Sequence, residues 1–454
     1  MKKKFKEESV IFISVLKWLV LATFVGIIVG FAVTGFLKAL RYATFYTGEY
    51  TYYYLALPVA MFLSTVIIDY LAPDAEGHGT EKVIEAVHKH SGRIKAMVVP
   101  VKLVTTIITL AIGGSAGKEG PCAQIGAGLS SVFADILRFS DVDRKKLVIC
   151  GISGGFASVF GTPIAGAIFG IEVLFVGSIR YDVLLPSFVA GIVSYQISSW
   201  LGIGYFYNPI TFVPVFSDAF FIKMVIAGIF FGFCSFVFIE ILNFGKFASS
   251  KLALTKPAKA VVGGVALIVL TLIFSKQYLG LGLDTMESAL EGGDVPYFAF
   301  LLKSIFTSIT LNFGGSGGIV TPIFFAGATA GSIFSKILGV DPAMLAAIGL
   351  VSLLAGCANT PISASIMAVE LFGPQVAPYA SIACVISFVI AGHRSVYPSQ
   401  VLSIRKSSSI KVEIGAELEN LTPSFERREK SLIDLLRSIQ RFILRKKPGD
   451  GPPH

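Results

Sequence analysis

Charged residues are scarce in this chain. Of its 454 residues, 15% are Asp, Glu, Lys or Arg, whereas about a quarter of an average soluble domain is charged. Hydrophobic residues make up 54% of the chain, and its mean hydropathy is +0.75. Long apolar stretches recur, and several reach the roughly 20 residues that cross a bilayer. This composition predicts a membrane protein rather than a soluble protein with an unusually large core.

Patterns that would hold a metal, a cofactor or a disulfide framework are also missing. None of the five cysteines belongs to a CxxC or similar ligand spacing. Each lies within or beside an apolar segment, as is typical of small buried hydrophobic residues: Cys122, Cys150, Cys234, Cys357 and Cys384. We therefore predict neither a metal nor a cofactor.

The net charge of +9 is concentrated at the two ends. The basic residues there are Lys2, Lys3, Lys4, Lys6, Arg427, Arg428, Lys430, Arg437, Arg441, Arg445, Lys446 and Lys447. Because Lys and Arg beside membrane spans mark the cytoplasmic side, both termini are predicted to be cytoplasmic and the number of crossings even. No nucleic-acid partner is needed to explain these charges. We expect a multi-pass protein in the lipid bilayer of the plasma membrane.

The chain is predicted to divide into a membrane transport domain, 1–405, and a basic cytoplasmic tail, 406–454. In the tail, residues 425–447 carry apolar side chains at helical spacing, which predicts a basic amphipathic helix lying on the membrane or on the protein's inner face. The start has no clear A-x-A cleavage site. Its long apolar run is therefore expected to stay as a membrane element and not to act as a cleavable signal.

Residues 102–121 (KLVTTIITLAIGGSAGKEGP) are repeated at 303–322 (KSIFTSITLNFGGSGGIVTP). Ten of the twenty positions are identical. In each copy an apolar run stops in a glycine cluster, and a second apolar run starts after a proline. In a membrane chain this pattern is typical of a broken helix. A matching pair of breaks in the two halves is the best sequence indication of a transport site.

A second pair of segments, 151–175 and 349–372, extends the repeat. Both contain a TPI triplet followed by a glutamate, Glu172 or Glu370. The two halves, at about 50–200 and 250–400, thus have the same order of broken helix, apolar run, TPI break and glutamate. We predict an all-α polytopic membrane protein built from two repeats, with partial, tilted and re-entrant helices.

The helix breaks are the candidate binding site. A helix that starts at membrane depth leaves about four backbone N–H groups without intrahelical acceptors, and its dipole adds partial positive charge. Such an N-terminus binds an anion without a cationic side chain. Segments 117–121 (GKEGP), 318–322 (GIVTP) and 72–80 (APDAEGHGT) all fit. We expect these three N-termini to converge on one dehydrated anion.

The same segments resemble the CLC family of chloride channels and transporters. GKEGP is similar to that family's G-[KR]-E-G-P signature, and GIVTP is similar to its G-x-F-x-P motif. The segment 77–80 (GHGT) lies where the family has G-S-G-I-P, and Tyr397 lies in the place of a late tyrosine. The resemblance covers roughly 16–402. It implies a CLC fold of two inverted repeats and a homodimer with one pore in each subunit.

The resemblance also implies residue roles. Glu119 matches the gating glutamate, whose carboxylate competes with the anion. The backbone amides of Ile319 and Val320 would hold the central chloride, and Tyr397 would donate its hydroxyl to it. His78 stands in the place of a serine donor. The remaining implied anion-binding residues belong to the same breaks: Gly79, Lys118, Gly120 and Gly318.

Three departures from the family pattern bear on function. Val320 replaces the usual Phe, which matters little if the backbone binds the anion. His78 replaces serine, so its imidazole donates one hydrogen bond when neutral and adds a charge when protonated. Val173 stands where proton-coupled members carry a second glutamate. We therefore favour a passive anion channel over a proton-coupled chloride antiporter. GKEGP also departs from the fluoride-selective branch, which favours chloride over fluoride.

Other interpretations of these residues stay open. Glu119 is a plausible helix cap, although a charged side chain at mid-membrane costs about 2.5–3.5 kcal/mol and favours function. Glu172 and Glu370 are predicted to brace loops through backbone hydrogen bonds. Lys102 and Lys303 are interpreted as snorkelling to an interface, and an interfacial-belt role is the alternative for Tyr397.

Three other functional classes remain. The proton-coupled exchanger uses Glu119 to carry the proton, and an organic-anion carrier is a weaker alternative. A remote alternative is an intramembrane serine hydrolase that pairs Ser316 with His393. We expect a transporter and not an enzyme, with chloride and protons as candidate partners.

Overall fold

The computed structural model describes residues 2–205, 207, 210 and 217–425. The first half contains helices α1 Lys2–Gly48, α2 Leu57–Leu71, α3 Thr80–Lys89, α4 Val98–Ala111, α5 Glu119–Ile136, α6 Asp141–Phe160, α7 Pro163–Glu172 and α8 Leu184–Trp200. The second half contains α9 Asp218–Lys251, α10 Lys256–Ile273, α11 Leu283–Leu290, α12 Ala299–Asn312, α13 Val320–Leu338, α14 Pro342–Ala358, α15 Pro361–Phe372 and α16 Ala377–Ile390. These described parts are therefore predominantly α-helical, as the composition predicts.

Four two-residue strands follow or connect the helices. Strand β1, Phe175–Val176, pairs in parallel with β2, Val401–Leu402. Strand β3, Ile410–Lys411, pairs antiparallel with β4, Ser424–Phe425. The β1–β2 pair ties the end of the first half to the chain that follows Tyr397. The amphipathic helix predicted at 425–447 lies, apart from residue 425, outside the described residues.

Six apolar helices in the described residues are long enough to cross a bilayer. They are Lys6–Gly48, Tyr53–Leu71, Tyr181–Trp200, Asp218–Lys251, Lys256–Ile273 and Val320–Leu338. The shorter apolar helices have 10–17 residues, too few to span about 30 Å alone. Most of them begin or end at a glycine or a proline. This mixture agrees with the prediction of partial helices.

Glycine contacts at matching places hold both halves together. A Cβ on Gly126 of α5 would overlap the carbonyl oxygen of Gly151 on α6, and the reverse also holds. In the second half, Gly327 of α13 and Gly349 of α14 meet in the same way. Small residues let membrane helices approach until their backbones touch. Helices α5–α6 and α13–α14 are therefore packed at backbone distance.

The paired glutamates connect the two halves reciprocally. Glu172, at the end of α7, accepts hydrogen bonds from the amides of Ile362 and Ser363 at 3.0 and 2.8 Å. Glu370 on α15 accepts from the amides of Ile164 and Ala165 at 3.0 and 2.8 Å. Each carboxylate thus caps the N-terminus of the other half's helix. The prediction that these glutamates form backbone hydrogen bonds is confirmed.

The snorkelling interpretation of Lys102 and Lys303 is wrong. Both side chains are fully buried. The Lys102 ammonium donates to the carbonyls of Ala75, at 3.1 Å, and Gly77. In the second half, the Lys303 ammonium donates to the carbonyls of Tyr278 and Gly280 at 3.1 and 2.7 Å. Loop carbonyls ahead of α3 and α11 replace the water that an interface would supply.

We predict that Gly126→Ala lowers the thermal midpoint of the detergent-solubilised protein. The added methyl group overlaps a backbone carbonyl that cannot move without separating α5 from α6, and overpacking of this kind costs about 1–3 kcal/mol. Gly35→Ala is the matched control, because a Cβ at Gly35 meets nothing within 4 Å. Equal midpoints for the two variants would contradict the close packing of α5 and α6.

Candidate anion pathway

The two glycine breaks face each other across the centre of the fold. The amide of Gly117 donates to the carbonyl of Gly318 at 2.7 Å, and the amide of Gly318 donates to Gly117 at 2.6 Å. This antiparallel bridge makes the two breaks an inverted pair. Helices α5 and α13 begin at Glu119 and Val320, immediately after it. The predicted helix starts are confirmed, and their N-termini are neighbours.

Serine and threonine side chains fix these breaks reciprocally. The amide of Ser115 donates to the hydroxyl of Thr310 at 3.0 Å, and the amide of Ser316 donates to the hydroxyl of Thr109 at 3.1 Å. All four residues are buried. Each half therefore satisfies the backbone of the other half's break. The identities in the twenty-residue repeat include both of these cross-bonded pairs.

The N-terminus of α3 joins the other two. Gly79 has a φ of 81°, in the left-handed region that favours glycine. A Cβ there would lie 2.6 Å from the carbonyl oxygen of Gly120, and a Cβ on Gly120 would overlap the carbonyl of His78. Backbone meets backbone only because both residues are glycine. The N-termini of α3, α5 and α13 therefore lie together, and their convergence on one anion stays a prediction.

The carboxylate of Glu119 lies between the starts of α5 and α13. Its side chain is 3% exposed. It accepts hydrogen bonds from the amide of Lys118 at 3.1 Å, the amide of Thr321 at 3.1 Å and the hydroxyl of Thr321 at 2.6 Å. Because the first amides of a helix have no intrahelical acceptors, the carboxylate satisfies donors that would otherwise lack an acceptor.

Three buried polar atoms beside this point lack a hydrogen-bond partner in the described part of the chain. They are Nδ1 of His78 and the hydroxyl oxygens of Thr80 and Tyr397. The His78 and Tyr397 rings lie 5.5 Å apart. Leaving such an atom unsatisfied costs about 1–3 kcal/mol, so a bound ion or water is expected there. Tyr397 is fully buried, so its interpretation as an interfacial-belt residue is wrong.

A cavity of about 740 Å³ opens beside His78, and we call it the vestibule. Its wall includes Glu81, in the first turn of α3, and Ser399. Glu81 Oε1 accepts hydrogen bonds from the amide of Ser399, at 2.9 Å, and from its hydroxyl. Burial raises the pKa of Glu81 to about 7, against these hydrogen bonds, which lower it. Glu81 lies outside the apolar helices that span or partly span the membrane.

The position of Val173 contains no proton-accepting side chain. Val173 is fully buried, and its carbonyl accepts a hydrogen bond from Gln400 Nε2 at 2.8 Å. The neighbouring Glu172 is engaged in capping α15. The apolar side chain at this place therefore cannot transfer a proton, as the sequence indicates.

The serine hydrolase alternative is wrong. The Ser316 hydroxyl is fully buried and bonds to the hydroxyls of Thr105 and Thr106 at 3.1 and 3.2 Å. Nε2 of His393 accepts from the amide of Lys406 at 3.1 Å. Neither group has the nucleophile–base hydrogen bond that this chemistry needs.

Metal-ligand clusters do not occur in the part of the chain that the structure describes. No three His, Cys, Asp or Glu side chains are grouped there in a way that would hold a metal ion. The five cysteines are free and buried, in agreement with their interpretation as small hydrophobic residues.

Sequence reasoning missed Thr321 and Ser399. Thr321 occupies the place in the second repeat that Gly120 occupies in the first, so a search for differences between the copies would have found it. Ser399 carried no signal, because its partner Glu81 lies 318 residues away along the chain.

Comparison with known proteins agrees with this fold and site. Residues 60–392 match the family described as voltage gated chloride channel. A chloride/fluoride channel protein of Pseudomonas syringae pv. tomato is 35% identical over 395 residues, covering 85% of this chain and 86% of that protein. The crystal structure of a CLC-type fluoride/proton antiporter matches with a TM-score of 0.82 and 27% identity, covering 86% of this chain and 98% of that chain. A slow cyanobacterial Cl⁻/H⁺ antiporter matches in fold, with a TM-score of 0.72 and 21% identity over 82% and 94% of the two chains.

The chain therefore belongs to the CLC family, and it is of the prokaryotic type. It is an all-α, multi-pass membrane protein with the CLC fold. Members of this family are transporters, and anion transport is the activity class of this chain.

We predict that Thr321→Val strengthens anion binding about ten-fold in isothermal titration calorimetry, because a hydrogen bond to a charged group contributes roughly 1.5–3 kcal/mol. Removing the hydroxyl weakens the binding of the Glu119 carboxylate at this place, and we expect that carboxylate to compete with an anion for the same amides. Thr329→Val is the matched control on α13, where the hydroxyl bonds only to carbonyls of its own helix. Unchanged binding in Thr321→Val would exclude this competition.

Proposed function

We propose that this chain exchanges halide ions for protons across the membrane, with Glu119 as the group that closes the anion path and carries the proton. The observation that carries the proposal is the position of the Glu119 carboxylate on Thr321 and the amide of Lys118. A carboxylate and a halide compete for the backbone amides among these donors, those of Lys118 and Thr321. Protonation of Glu119 removes its charge and frees the donors for the ion.

The anion is bound mainly by the polypeptide backbone. We assign the central position to the amides of Ile319 and Val320, with hydroxyl donation from Tyr397 and imidazole donation from His78. The backbones of the three breaks form the rest of the wall, at Gly79, Lys118, Gly120 and Gly318. Support comes from the contacts that bring these N-termini together and from the unpartnered atoms of His78 and Tyr397.

Exchange is favoured over passive conduction by two observations. This chain covers 98% of the length of the solved antiporter to which it is 27% identical. In addition, the vestibule wall includes a buried carboxylate, Glu81, close to the anion site. Passive conduction is the second candidate, because Val173 supplies no proton acceptor and the Pseudomonas relative is named a channel.

Chloride is the proposed principal ion, and fluoride is the competitor to test against it. The GKEGP motif favours chloride, whereas the names of two similar proteins include fluoride. His78 places an imidazole where a serine hydroxyl is expected. We therefore propose that His78 affects the selectivity between chloride and fluoride.

We further propose a homodimer in the plasma membrane, with one pore in each subunit and both termini in the cytoplasm. Exposed apolar residues on the short helices α7 and α15 support an association surface. Ile164 and Ile362, from the two TPI triplets, are 43% and 48% exposed. The positively charged chain ends support the orientation.

We predict that purified protein in liposomes moves chloride and protons in opposite directions at a fixed ratio, recorded simultaneously with chloride and pH electrodes. Glu119→Gln mimics the protonated gate, so chloride flux persists or rises while coupled proton movement stops. Glu413→Gln, at an exposed position, is the control and retains coupling. Chloride flux without proton movement in the unmodified protein would replace exchange with passive conduction.

We predict that His78→Ala weakens chloride binding about ten-fold, the loss expected for one hydrogen bond to an ion. It also changes the ratio of chloride to fluoride transport, because the smaller and more strongly hydrated fluoride depends more on side-chain donors. Calorimetry and flux with each ion alone measure both effects. The exposed His90→Ala is the control, and equal chloride affinity in the two variants would remove His78 from the site.

A further inference from the structure

One carboxylate of the vestibule is not neutralised by a cation. Four glutamates line this cavity. Three of them are ion-paired with lysines: Glu76 with Lys256 at 2.9 Å, Glu85 with Lys82 at 2.9 Å and Glu419 with Lys246 at 3.1 Å. Within the described residues, Glu81 forms no ion pair. Among the four glutamates of this cavity, Glu81 is therefore the one whose negative charge no ion pair stabilises.

The two oxygens of Glu81 are in different environments. Oε1 accepts both hydrogen bonds from Ser399. Oε2 is buried and has no hydrogen-bond partner in the part of the chain that the structure describes. A buried ionised oxygen without a donor is costly, and a proton on Oε2 removes that cost. The carboxyl group is therefore arranged to bind a proton at one oxygen while Ser399 holds the other.

Glu81 also lies at the right place along the anion pathway. It follows His78 by three residues and lines the same cavity. His78 in turn contacts Gly120, the residue next to Glu119, through its backbone. The same cavity is lined by the exposed side chains of Lys246 and Arg394. Glu81 thus shares one cavity with His78 and with exposed residues, whereas Val173 is fully buried.

We propose that Glu81 is the proton-exchange residue on the vestibule side and replaces the acid that is missing at Val173. This inference rests on the proposed exchange of anions for protons. Glu81 takes up a proton from a hydronium ion in the vestibule, which leaves as water. The new O–H bond then breaks as the proton passes to water in the anion pathway, and the Glu119 carboxylate is its final acceptor. No electrons are transferred.

Most charged groups that line this cavity with Glu81 form ion pairs of their own. The titratable and charged groups that line this cavity with Glu81 come from the loop before α3, from α3 and α9, and from the chain after α16: Glu76, His78, Lys82, Glu85, Lys89, Lys246, His393, Arg394 and Glu419. Lys82 pairs with Glu85, Lys246 with Glu419, and Arg394 with Glu240 at 3.1 Å. Burial is the largest cause of the raised pKa of Glu81, and the charges of Glu85 and Glu419 raise it further. The resulting pKa of about 7 suits a group that takes up and releases protons near neutral pH.

A structural role is the competing explanation, because Glu81 also holds Ser399, two residues after Tyr397. Glu81→Gln separates the two. The amide oxygen still accepts from Ser399, but the side chain no longer binds a proton. We expect the ratio of protons to chloride to fall by roughly ten-fold or more, while chloride flux in the same liposomes stays close to that of the unmodified protein. Glu85→Gln, one turn along α3 and lining the same cavity, is the matched control and retains coupling.

The outcomes separate this inference from the proposed function. Coupling that is lost in Glu119→Gln but kept in Glu81→Gln would overturn the role of Glu81 and leave exchange intact. Absence of proton movement in the unmodified protein would overturn both. A parallel loss of chloride and proton flux in Glu81→Gln would indicate the structural role alone.

A second measurement does not depend on the folding of Glu81→Gln. In the unmodified protein, proton transport should fall with rising pH around a midpoint near the pKa of Glu81, about 7. Ser399→Ala removes the hydroxyl that stabilises the charged carboxylate, so the pKa rises. The midpoint should therefore move to higher pH by about one unit. An unchanged midpoint would contradict proton exchange at Glu81.

Discussion

Two helix N-termini of like polarity meet at the centre of this protein, and the rest of the site depends on that meeting. Each helix start carries partial positive charge and unpaired amides. The bridge between Gly117 and Gly318 holds the starts of α5 and α13 side by side, in surroundings where water does not screen their repulsion. A negative charge must therefore lie between them. Glu119 supplies it, and under the proposed function a halide replaces it.

The two halves share a scaffold and differ at the site. Glycines, serines, threonines and buried lysines recur at matching places and make matching bonds. Lys102 and Lys303 bind corresponding loops, so His78 corresponds to Leu281. Likewise, Glu119 corresponds to Val320 and Gly120 to Thr321. The changed positions make the two ends of a nearly symmetric scaffold different from each other.

The sequence was most informative where a motif is repeated. The two glycine breaks, the starts of α5 and α13, and the contact of α3 with them followed from turn chemistry and the helix dipole. The surroundings of Lys102 did not, because side-chain length suggests snorkelling but does not reveal which loop carbonyls converge on the ammonium. The bond from Ser399 to Glu81 joins distant parts of the chain. Only the packing of the whole fold determines such a pair.

The reciprocal capping by Glu172 and Glu370 constrains how this protein moves. Each half caps the N-terminus of a helix of the other half with a buried or half-buried carboxylate. Rotation of one half against the other would therefore remove the acceptors of four amides at once. Many carriers alternate by rocking two bundles about a central site. Under the proposed function, the two halves therefore keep their positions and the moving part is a single side chain, that of Glu119.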